Sequence, residues 1–372
     1  MPPTSPVIGI LSTSFQRQGK VMPRGIQAEL AYLTQIGRKM PGIVCVFSPY
    51  SIDWNKGLIQ GCRFREELNG SGYWECETFP MPSVVYDQMY ANTAGSHYHQ
   101  IKNRLKQVTG GRYFNSKFMN KLTIHRLLNR VPLMQEYLPK TKRFRSAADL
   151  VNYLSCYDSV YLKPAAGGMG WGIIKVSKYK NGYRYQTRNG YCSPVYNIDR
   201  LYKKIKQLMG KHLYLIQQGL NLFRYKDQIV DIRVLIQKNG RGIWSLTKLY
   251  TRVGKPGRIT SNLAGGATAF PLGDILSWRY SKPEIEDIRS RIIDLSLNAC
   301  QVLEQESQEL IGEIGVDIGL DDKNRLWIIE LNLKPRKSTT GSGNQRLIGL
   351  SFAKPLRFAG FLAKQKTIDP QN

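Results

Sequence analysis

The six cysteines of this chain are dispersed, and no two of them form a C-x-x-C pair. Zinc sites and disulfide frameworks in small domains usually have clustered or regularly spaced cysteines. The four histidines are not spaced as metal ligands either. The sequence therefore predicts neither a zinc site nor a disulfide framework. We expect reduced, mainly structural thiols at Cys45, Cys62, Cys76, Cys156, Cys192 and Cys300.

The chain also lacks a long apolar segment. Nowhere do about eighteen uncharged apolar residues run together, which is near the minimum for a membrane-spanning helix. The first twenty residues, "MPPTSPVIGILSTSFQRQGK", contain one short apolar stretch with no basic region before it. We expect a soluble cytoplasmic protein with no membrane span.

Several catalytic signatures are missing. The sequence has no G-x-S-x-G motif and no recognisable Cys–His arrangement, so covalent catalysis by a Ser or Cys nucleophile is not predicted. The phosphate-binding pattern G-x-x-x-x-G-K-[ST] does not occur. Any nucleotide site must therefore be built differently from a Walker A loop.

Acidic residues are scarce compared with basic ones. The chain has 54 Lys and Arg against 27 Asp and Glu, a formal net charge of +27. Such a surface attracts anions. The partner could be nucleic acid, nucleotide phosphates, an acidic peptide or polymer, or an anionic assembly surface, and charge alone does not choose among them. A generally basic solvated surface explains the same number.

The length of 372 residues and the order of apolar segments predict an α/β protein with more than one lobe. Apolar runs at 7–13 and 42–49 flank a segment of helical periodicity, which is typical of a βαβ unit, and 83–89 continues it. Further helices are predicted from 117 until Pro132, from about 146 with Ser146 as its cap, from Asn197 or Asp199, and at 282–307. Strands are predicted around the glycine-rich turn that begins at 167, at 213–220, 231–237 and 242–254, and in a final hairpin.

That final hairpin carries polar residues on a buried strand. In "WIIELN", Glu330 and Asn332 stand where apolar residues are expected, and Asp317 lies on the preceding strand. With an even-numbered turn at 321–324, Asp317 would oppose Ile328 and lie diagonal to Glu330. Two carboxylates and an amide oxygen would then converge, a donor set that suits Mg²⁺. A salt bridge to one of the many Arg or Lys residues is the alternative.

Basic residues and glycines occur where an anion could be held. "YLKPAAGGMGWG" places Lys163 at a strand end before Gly167, Gly168 and Gly170, and such a turn lets backbone N–H groups approach phosphate. Taken alone, these glycines are better explained by a tight hairpin. Arg233 and Arg252 lie in apolar strands and need an anion, either a ligand phosphate or an internal carboxylate such as Asp231 or Glu313. Asn262 begins a loop that contains Gly265 and Gly266, which is either a ligand loop or a simple turn.

The order of these parts resembles that of an ATP-grasp enzyme. The segments "GIVCVFSP", "YLIQQGLNLF", "DIRVLIQKNGRGIW", "TRVG", "SNLAGGA" and "IIELNLKP" are similar to the YheC/YheD endospore coat-associated family, over about residues 7–363. The resemblance implies an N-terminal βαβ domain at 1–112, a first ATP-grasp lobe at 113–215 and a second lobe at 216–372. It also implies a role for each candidate: Lys117 and Lys163 as nucleotide lysines under the glycine turn, Gln217, Gln218 and Leu220 around adenine, Arg233, Arg252 and Asn262 at the transfer centre, and Asp317, Glu330 and Asn332 as metal ligands.

The activity implied by this resemblance is ATP-dependent ligation of a carboxylate to an amine or other nucleophile through an acyl phosphate. ATP and Mg²⁺, or Mn²⁺, would be the cofactors, and the basic surface favours an acidic peptide or coat component as one partner. Association with the spore coat is implied by the family alone. Two alternatives remain: an inactive ATP-binding scaffold, favoured by Met169 and Trp171 in the glycine turn and by Arg336 after the metal strand, and a basic nucleic-acid-binding protein, which no motif supports.

Overall fold

The computed structural model describes residues 5–16, 19–89, 96–168, 170–339 and 344–365. These residues form a mixed α/β structure built around three six-stranded sheets. Helices pack on the sheets, and buried apolar side chains form separate clusters around them. In the part of the chain that the structure covers, no helix is both long and apolar enough to cross a bilayer.

The first sheet contains the predicted βαβ unit. Strand β1 (Val7–Leu11) pairs in parallel with β2 (Ile43–Asp53) on one side and with β5 (Val84–Asp87) on the other, and α1 (Ile26–Gly37) connects β1 to β2. The prediction of three strands and one helix here is confirmed. The sequence analysis missed the antiparallel hairpin that extends the sheet. The remaining elements are β3 (Leu58–Glu66), β4 (Gly72–Pro80), α2 (Ser96–Val108) and β6 (Tyr113–Phe114).

Two of the six cysteines are joined, contrary to the expectation of reduced thiols throughout. Cys62 on β3 pairs directly with Cys76 on β4, and their sulfur atoms form a disulfide. The side chains are separated by 14 residues in sequence, so only the antiparallel pairing of β3 and β4 brings them together. Cys45, Cys156, Cys192 and Cys300 are free thiols.

The second sheet has the strand order β11-β10-β9-β8-β12-β7. Ser146 caps the helix Ala147–Cys156 through a capping box with Asp149, as the sequence predicts, and of the two candidates Asn197 and Asp199 it is Asn197 that caps the helix Ile198–Met209. The helix predicted from 117 until Pro132 is wrong in extent, because it spans only Lys121–Leu128 with Asn120 as its cap, and Pro132 begins a second short helix. The elements are α3 (Lys121–Leu128), α4 (Pro132–Gln135), β7 (Thr141–Arg143), α5 (Ala147–Cys156), β8 (Ser159–Pro164), β9 (Ile174–Tyr179), β10 (Gly182–Thr187), β11 (Cys192–Val195), α6 (Ile198–Met209) and β12 (Tyr214–Gln218).

The third sheet carries the predicted carboxylate hairpin, and its long helix lies at the predicted residues. Its strand order is β16-β15-β14-β17-β18, with β13 attached to β14. Strand β17 is buried along its whole length, because α8 packs on the sheet that contains it. The elements are β13 (Arg224–Tyr225), β14 (Gln228–Lys238), β15 (Trp244–Val253), β16 (Thr268–Phe270), α7 (Leu272–Leu276), α8 (Lys282–Ser307), β17 (Glu313–Leu320), β18 (Leu326–Asn332) and α9 (Gln345–Lys364).

Helix α9 connects the third sheet to the first. Its apolar side chains, including Phe352 and Phe358, share one buried cluster with Ile8 and Ile10 of β1. The helix also contacts β14 and β15. Helix α9 therefore packs against both the first sheet and the third sheet.

Candidate active site

A cleft of about 570 Å³ lies between the second and third sheets, a size typical of small-molecule sites. β8 and β12 supply one wall, and β14, β17 and β18 supply the opposite one. Seven of the candidate residues from the sequence line it: Lys163, Gln217, Gln218, Leu220, Asn262, Asp317 and Glu330. Other residues of the lining were not predicted from the sequence, among them Tyr161, Lys175, Ser261, Trp278 and Arg279.

The two carboxylates in the cleft face each other across adjacent strands. Asp317 pairs directly with Glu330, and Asn332 pairs with Gly315, two residues further along. The predicted register, with Asp317 opposite Ile328, is wrong because Leu320 pairs with Leu326 rather than Arg325. A register shift of one residue would place Glu330 on the opposite face of the sheet from Asp317. A bulge between Asp317 and Ile318 shifts the register by one more residue and returns Glu330 to the face of Asp317. The carboxylates therefore converge, as the sequence predicts, by a different register.

Asp317 lies between two guanidinium groups. Arg233 Nε is 2.7 Å from Asp317 Oδ1, and Arg252 Nη2 is 2.9 Å from Asp317 Oδ2. Arg252 also makes a two-pronged contact with Asp231, with distances of 2.6 and 2.5 Å. Burial opposes ionisation of Asp317, but the two arginines outweigh it and hold its pKa below the ordinary value. The internal carboxylates that the two buried arginines require are therefore Asp317 and Asp231, and not Glu313.

Glu330 is held by a lysine that the sequence analysis did not single out. Lys121 Nζ is 2.9 Å from Glu330 Oε1 and also donates to the carbonyl oxygen of Gly167 at 2.8 Å. Lys121 is the first residue of α3, whose N-terminus Asn120 caps. One lysine thus connects the glycine turn of the second sheet to the carboxylate hairpin of the third.

Lys163 lies on the wall opposite the carboxylates. Its Nζ donates to Gln217 Oε1 at 2.5 Å, and Gln217 Nε2 donates to Thr141 Oγ1 at 2.9 Å. Burial lowers the pKa of Lys163 to about 8, although the negative charge of Glu330 opposes the shift. A buried ammonium group beside a cleft is a point charge suited to binding phosphate.

The glycine turn approaches the loop that contains Asn262. Gly167 and Gly170 have φ angles of 110° and 74°, a backbone region that favours glycine. A Cβ atom on Gly170 would lie only 2.6 Å from Asn262 Oδ1, whereas one on Gly168 would meet no atom within 4 Å. Trp171 is exposed and stacks under the Arg188 guanidinium at 4.1 Å. Met169 lies outside the described residues.

Lys117 is not brought into the cleft. The Lys117 side chain is exposed, and its Nζ lies 2.7 Å from Glu309 Oε1. Lys117 precedes the first residue of α3 by four positions. Lys121 occupies the position next to the glycine turn and the carboxylate hairpin. The signal that could have distinguished the two lysines is Asn120, a residue type preferred immediately before a helix.

Three basic residues that follow β18 form ion pairs with buried acidic residues. Lys334 Nζ is 2.5 Å from Asp87 Oδ1, and Lys337 Nζ is 2.7 Å from Glu313 Oε1. Arg336 Nε lies 2.5 Å from Glu29 Oε1 of α1. Arg336, the departure noted in the sequence, therefore contacts the N-terminal domain. These ion pairs anchor the strand that carries Glu330.

The donor set of the hairpin fits Mg²⁺ in the manner of a nucleotide-dependent site. Asp317 and Glu330 supply hard carboxylate oxygens on rigid strands, and Asn332 lies two residues from Glu330. In the described ranges, the hairpin included, no group of three or more His, Cys, Asp or Glu side chains could hold a metal ion, so the hairpin offers two carboxylates and an amide. Mg²⁺ commonly takes one or two protein carboxylates and completes its shell with water and substrate phosphates.

A family model for YheC/D-like ATP-grasp proteins matches residues 110–362, more than half of the chain. The chain belongs to the YheC/D-like ATP-grasp family. It is 27% identical over 377 residues to the endospore coat-associated protein YheD of Bacillus subtilis, covering 98% of this chain and 81% of YheD. It is 25% identical to YheC of the same organism, covering 84% and 87% of the two chains.

The solved structures that this YheC/D-like chain resembles support the ATP-grasp fold. The VanG D-Ala:D-Ser ligase from Enterococcus faecalis matches with a TM-score of 0.56 at 10% identity, covering 96% of this chain and 100% of that one. The D-cycloserine synthetase DcsG matches with a TM-score of 0.53 at 10% identity, covering 96% and 99%. The α/β fold expected from the sequence is therefore confirmed as an ATP-grasp fold.

Proposed function

We propose that this protein is an ATP-dependent ligase that joins a carboxylate to an amine or other nucleophile. The observation that carries the proposal is the shared cleft, with Lys163 on one wall and the Asp317–Glu330 pair on the other. Phosphoryl transfer needs charge neutralisation and alignment more than a covalent catalyst, and this cleft supplies both signs of charge on rigid strands. The ATP-grasp ligase fold is consistent with that chemistry.

In this proposal the second sheet and its turn bind the nucleotide. Lys163 and Lys121 contact the phosphates, with the backbone of Gly167, Gly168 and Gly170 above them, and Lys121 replaces Lys117 in this role. Gln217, Gln218 and Leu220 at the end of β12 surround the adenine. The half-buried Tyr161 on β8 lies on the same wall and offers an apolar ring face.

Asp317, Glu330 and Asn332 would hold Mg²⁺, or Mn²⁺. The ion would neutralise phosphate charge when bound with the nucleotide. To hold the ion, Asp317 would give up part of its contact with Arg233 and Arg252, whose guanidinium N–H groups would then face an anion. Lys121 would divide its contacts between Glu330 and the phosphates. These salt bridges thus supply the counter-charges that a bound nucleotide and metal would replace.

The chemistry has two steps. A substrate carboxylate oxygen attacks the γ-phosphorus of ATP, and the bond between that phosphorus and the bridging oxygen breaks. The products of this step are ADP and an acyl phosphate. The amine nitrogen then attacks the acyl carbon, the C–O bond to phosphate breaks, and the amine loses a proton as the amide forms. Arg233, Arg252 and Asn262 would stabilise the negative charge on the transferring group in both steps.

We also propose where this reaction takes place. The relatives YheD and YheC are named endospore coat-associated proteins, so we place the activity in spore coat assembly or related metabolism. An excess of basic residues, with a net charge of +27, favours an acidic peptide or coat component as one substrate.

The test is release of ADP from Mg·ATP in the presence of pooled carboxylates, amines and acidic peptides. We expect release that depends on the pool and that falls at least about a hundredfold in Glu330→Gln, the order of loss seen when one electrostatic group at a reacting centre is removed. Glu286→Gln makes the same change at an exposed residue of α8. It is the matched control and should leave ADP release unchanged.

Absence of Mg·ATP binding would contradict the proposal. Binding without release under any pool would favour the alternative of an ATP-binding scaffold. Equal release by wild type and Glu330→Gln would show that the hairpin is not the reacting site.

A further inference from the structure

A second concave surface lies on the outer edge of the second sheet, where Thr141 of its lining accepts a hydrogen bond from Gln217 of the cleft. We call it the α3–β7 groove. It has a volume of about 430 Å³, and its lining shares no residue with that of the cleft. It is lined by Leu122, His125, Arg126 and Asn129 of α3 and its C-terminus, by Thr141, Lys142 and Arg143 of β7, and by Arg145 and Asp149.

The groove is strongly basic. Arg126, Arg143 and Arg145 are exposed, and none of the described ion pairs involves their guanidinium groups. The single acid, Asp149, already accepts from Lys142 Nζ at 2.7 Å and from the N–H of Arg145 at 2.7 Å. Three guanidinium groups therefore face a groove whose only carboxylate is engaged by its own neighbours.

One side of the groove is the open edge of a sheet. Among the residues that the structure describes, β7 is the last strand in its sheet and pairs only with β12. Lys140 accepts from Gln218 N–H and Phe144 donates to Tyr214 C=O, both at 2.9 Å. Bonded and non-bonded residues alternate in an antiparallel pair, so Thr141 and Arg143 direct their N–H and C=O groups away from β12. These groups can pair with one more strand.

The geometry points to the α3–β7 groove as a docking site for an extended acidic peptide, which would add a strand to β7 and pair its carboxylates with Arg126, Arg143 and Arg145. Strand addition supplies affinity through main-chain hydrogen bonds, and side-chain charge supplies selectivity. The same arginines repel a second copy of β7, because like charges on an edge strand oppose self-pairing.

The lining distinguishes a peptide from a nucleic acid. Single-stranded nucleic acids bind through aromatic side chains on which the bases stack, in addition to a basic groove. The α3–β7 groove contains no Phe, Tyr or Trp, and His125 is its one ring. The N–H and C=O groups of an open strand edge, in contrast, have no matching row of donors and acceptors in a sugar–phosphate chain. The groove therefore fits an acidic peptide better than it fits an oligonucleotide.

The test is a binding titration with a fluorescent oligoglutamate of about eight residues, roughly 26 Å as a strand, at about 150 mM salt. The variant is Arg126→Glu with Arg143→Glu, and we expect affinity to fall at least about tenfold. The matched control is Lys39→Glu with Arg241→Glu, which removes the same charge from exposed residues of the N-terminal domain and of the β14–β15 turn. Its affinity should change less than about threefold. Melting temperatures of both variants verify folding.

A second measurement tests strand addition itself. An oligoglutamate that is N-methylated at every residue keeps its charge but has no backbone N–H to donate to the β7 edge, so it should bind at least about tenfold more weakly. An oligothymidylate of equal charge should also bind more weakly. Equal binding of all three ligands, an equal loss in the control variant, or no binding of oligoglutamate would overturn the proposal. Because no step requires ATP, the outcome is independent of the proposed ligase activity.

Discussion

Asp317 of β17 pairs directly with Glu330 of β18, and a bulge beside Asp317 makes this pairing possible. Without the bulge, the register set by Leu320 and Leu326 would place Ile329 opposite Asp317. The turn itself is stabilised by Asp321, whose carboxylate accepts from the N–H groups of Lys323 and Arg325 and from the Trp327 indole. The two carboxylates of the cleft therefore depend on a local irregularity of the hairpin.

Replacement of Asp317 by Asn should destabilise the protein. Asp317 is buried and balances Arg233 and Arg252, so its loss leaves positive charge with too few partners. Removing one partner of a buried ion pair costs about 3 kcal/mol in the free energy of unfolding. Denaturant unfolding of wild type and variant at neutral pH measures this difference. Asp322→Asn, at an exposed neighbour, is the control and should change stability by less than about 0.5 kcal/mol.

The same comparison has an expected pH dependence. The pKa of Asp317 is lower in the folded protein than its ordinary value. Its contribution to stability is therefore complete above the unfolded-state pKa of about 3.9 and is lost as the pH falls through the folded-state pKa. The difference between wild type and Asp317→Asn should stay constant from neutral pH down to about 5 and shrink only in stronger acid. A difference that shrinks near neutral pH would contradict this assignment.

Lys121, and not Lys117, should matter for nucleotide binding. Lys121 bridges Gly167 and Glu330, whereas Lys117 pairs with Glu309 outside the cleft. We expect Lys121→Met to weaken Mg·ATP binding at least about tenfold, because a charge-assisted contact to phosphate is lost. Lys117→Met is the matched control and should change binding less than about twofold, as is usual for an exposed ion pair. Isothermal titration calorimetry of both variants measures the dissociation constant of Mg·ATP. A larger loss of affinity in Lys117→Met than in Lys121→Met would restore Lys117 as the nucleotide lysine.

Nucleotide affinity should decrease as the pH rises above neutrality. Burial lowers the pKa of Lys163 to about 8, so the ammonium group is charged at pH 7 and loses its proton as the pH rises through 8. Binding of Mg·ATP that needs this charge should weaken towards a slope of about tenfold per pH unit above the pKa. Dissociation constants measured between about pH 7 and 9.5 test this dependence.

The control variant for this pH dependence is Lys163→Arg, which stays charged across the range. Its affinity should be lower overall but nearly independent of pH. A wild-type affinity that does not change over the range would show that the Lys163 charge does not contribute to binding.

Two glycines of the same turn should tolerate a methyl group differently. Gly170 has a positive φ, and a Cβ there would lie 2.6 Å from Asn262 Oδ1. Gly170→Ala should therefore displace the turn from Asn262 and weaken Mg·ATP binding by about tenfold or more, through strain of about 1–3 kcal/mol. Gly168→Ala meets open space and serves as the control, with an expected change below about twofold. Similar effects at both positions would mean that the turn does not need its present contact with Asn262.

Much of the fold could be predicted from local patterns. The βαβ unit, the capped helices at Ser146 and Asn197, the long helix at 282–307 and the final hairpin all have periodicity or end signals within a few residues. The hairpin of β3 and β4 was missed, and with it the Cys62–Cys76 disulfide. Disulfide pairing depends on which residues oppose each other across strands, and cysteine spacing in sequence does not contain that information.

The candidate site likewise combines features that could be predicted from the sequence with features that could not. The sequence by itself determined which residue types were available: carboxylates on a buried hairpin, glycines after Lys163, and arginines within apolar strands. Only the tertiary structure decided their partners, because a bulge corrected the register of Asp317 and Glu330 and the cap at Asn120 brought Lys121 to the cleft while Lys117 stayed outside. Residue identity follows from the local pattern, but strand register and helix ends depend on competing packing and hydrogen bonds. A shift of one residue there changes which side chains meet.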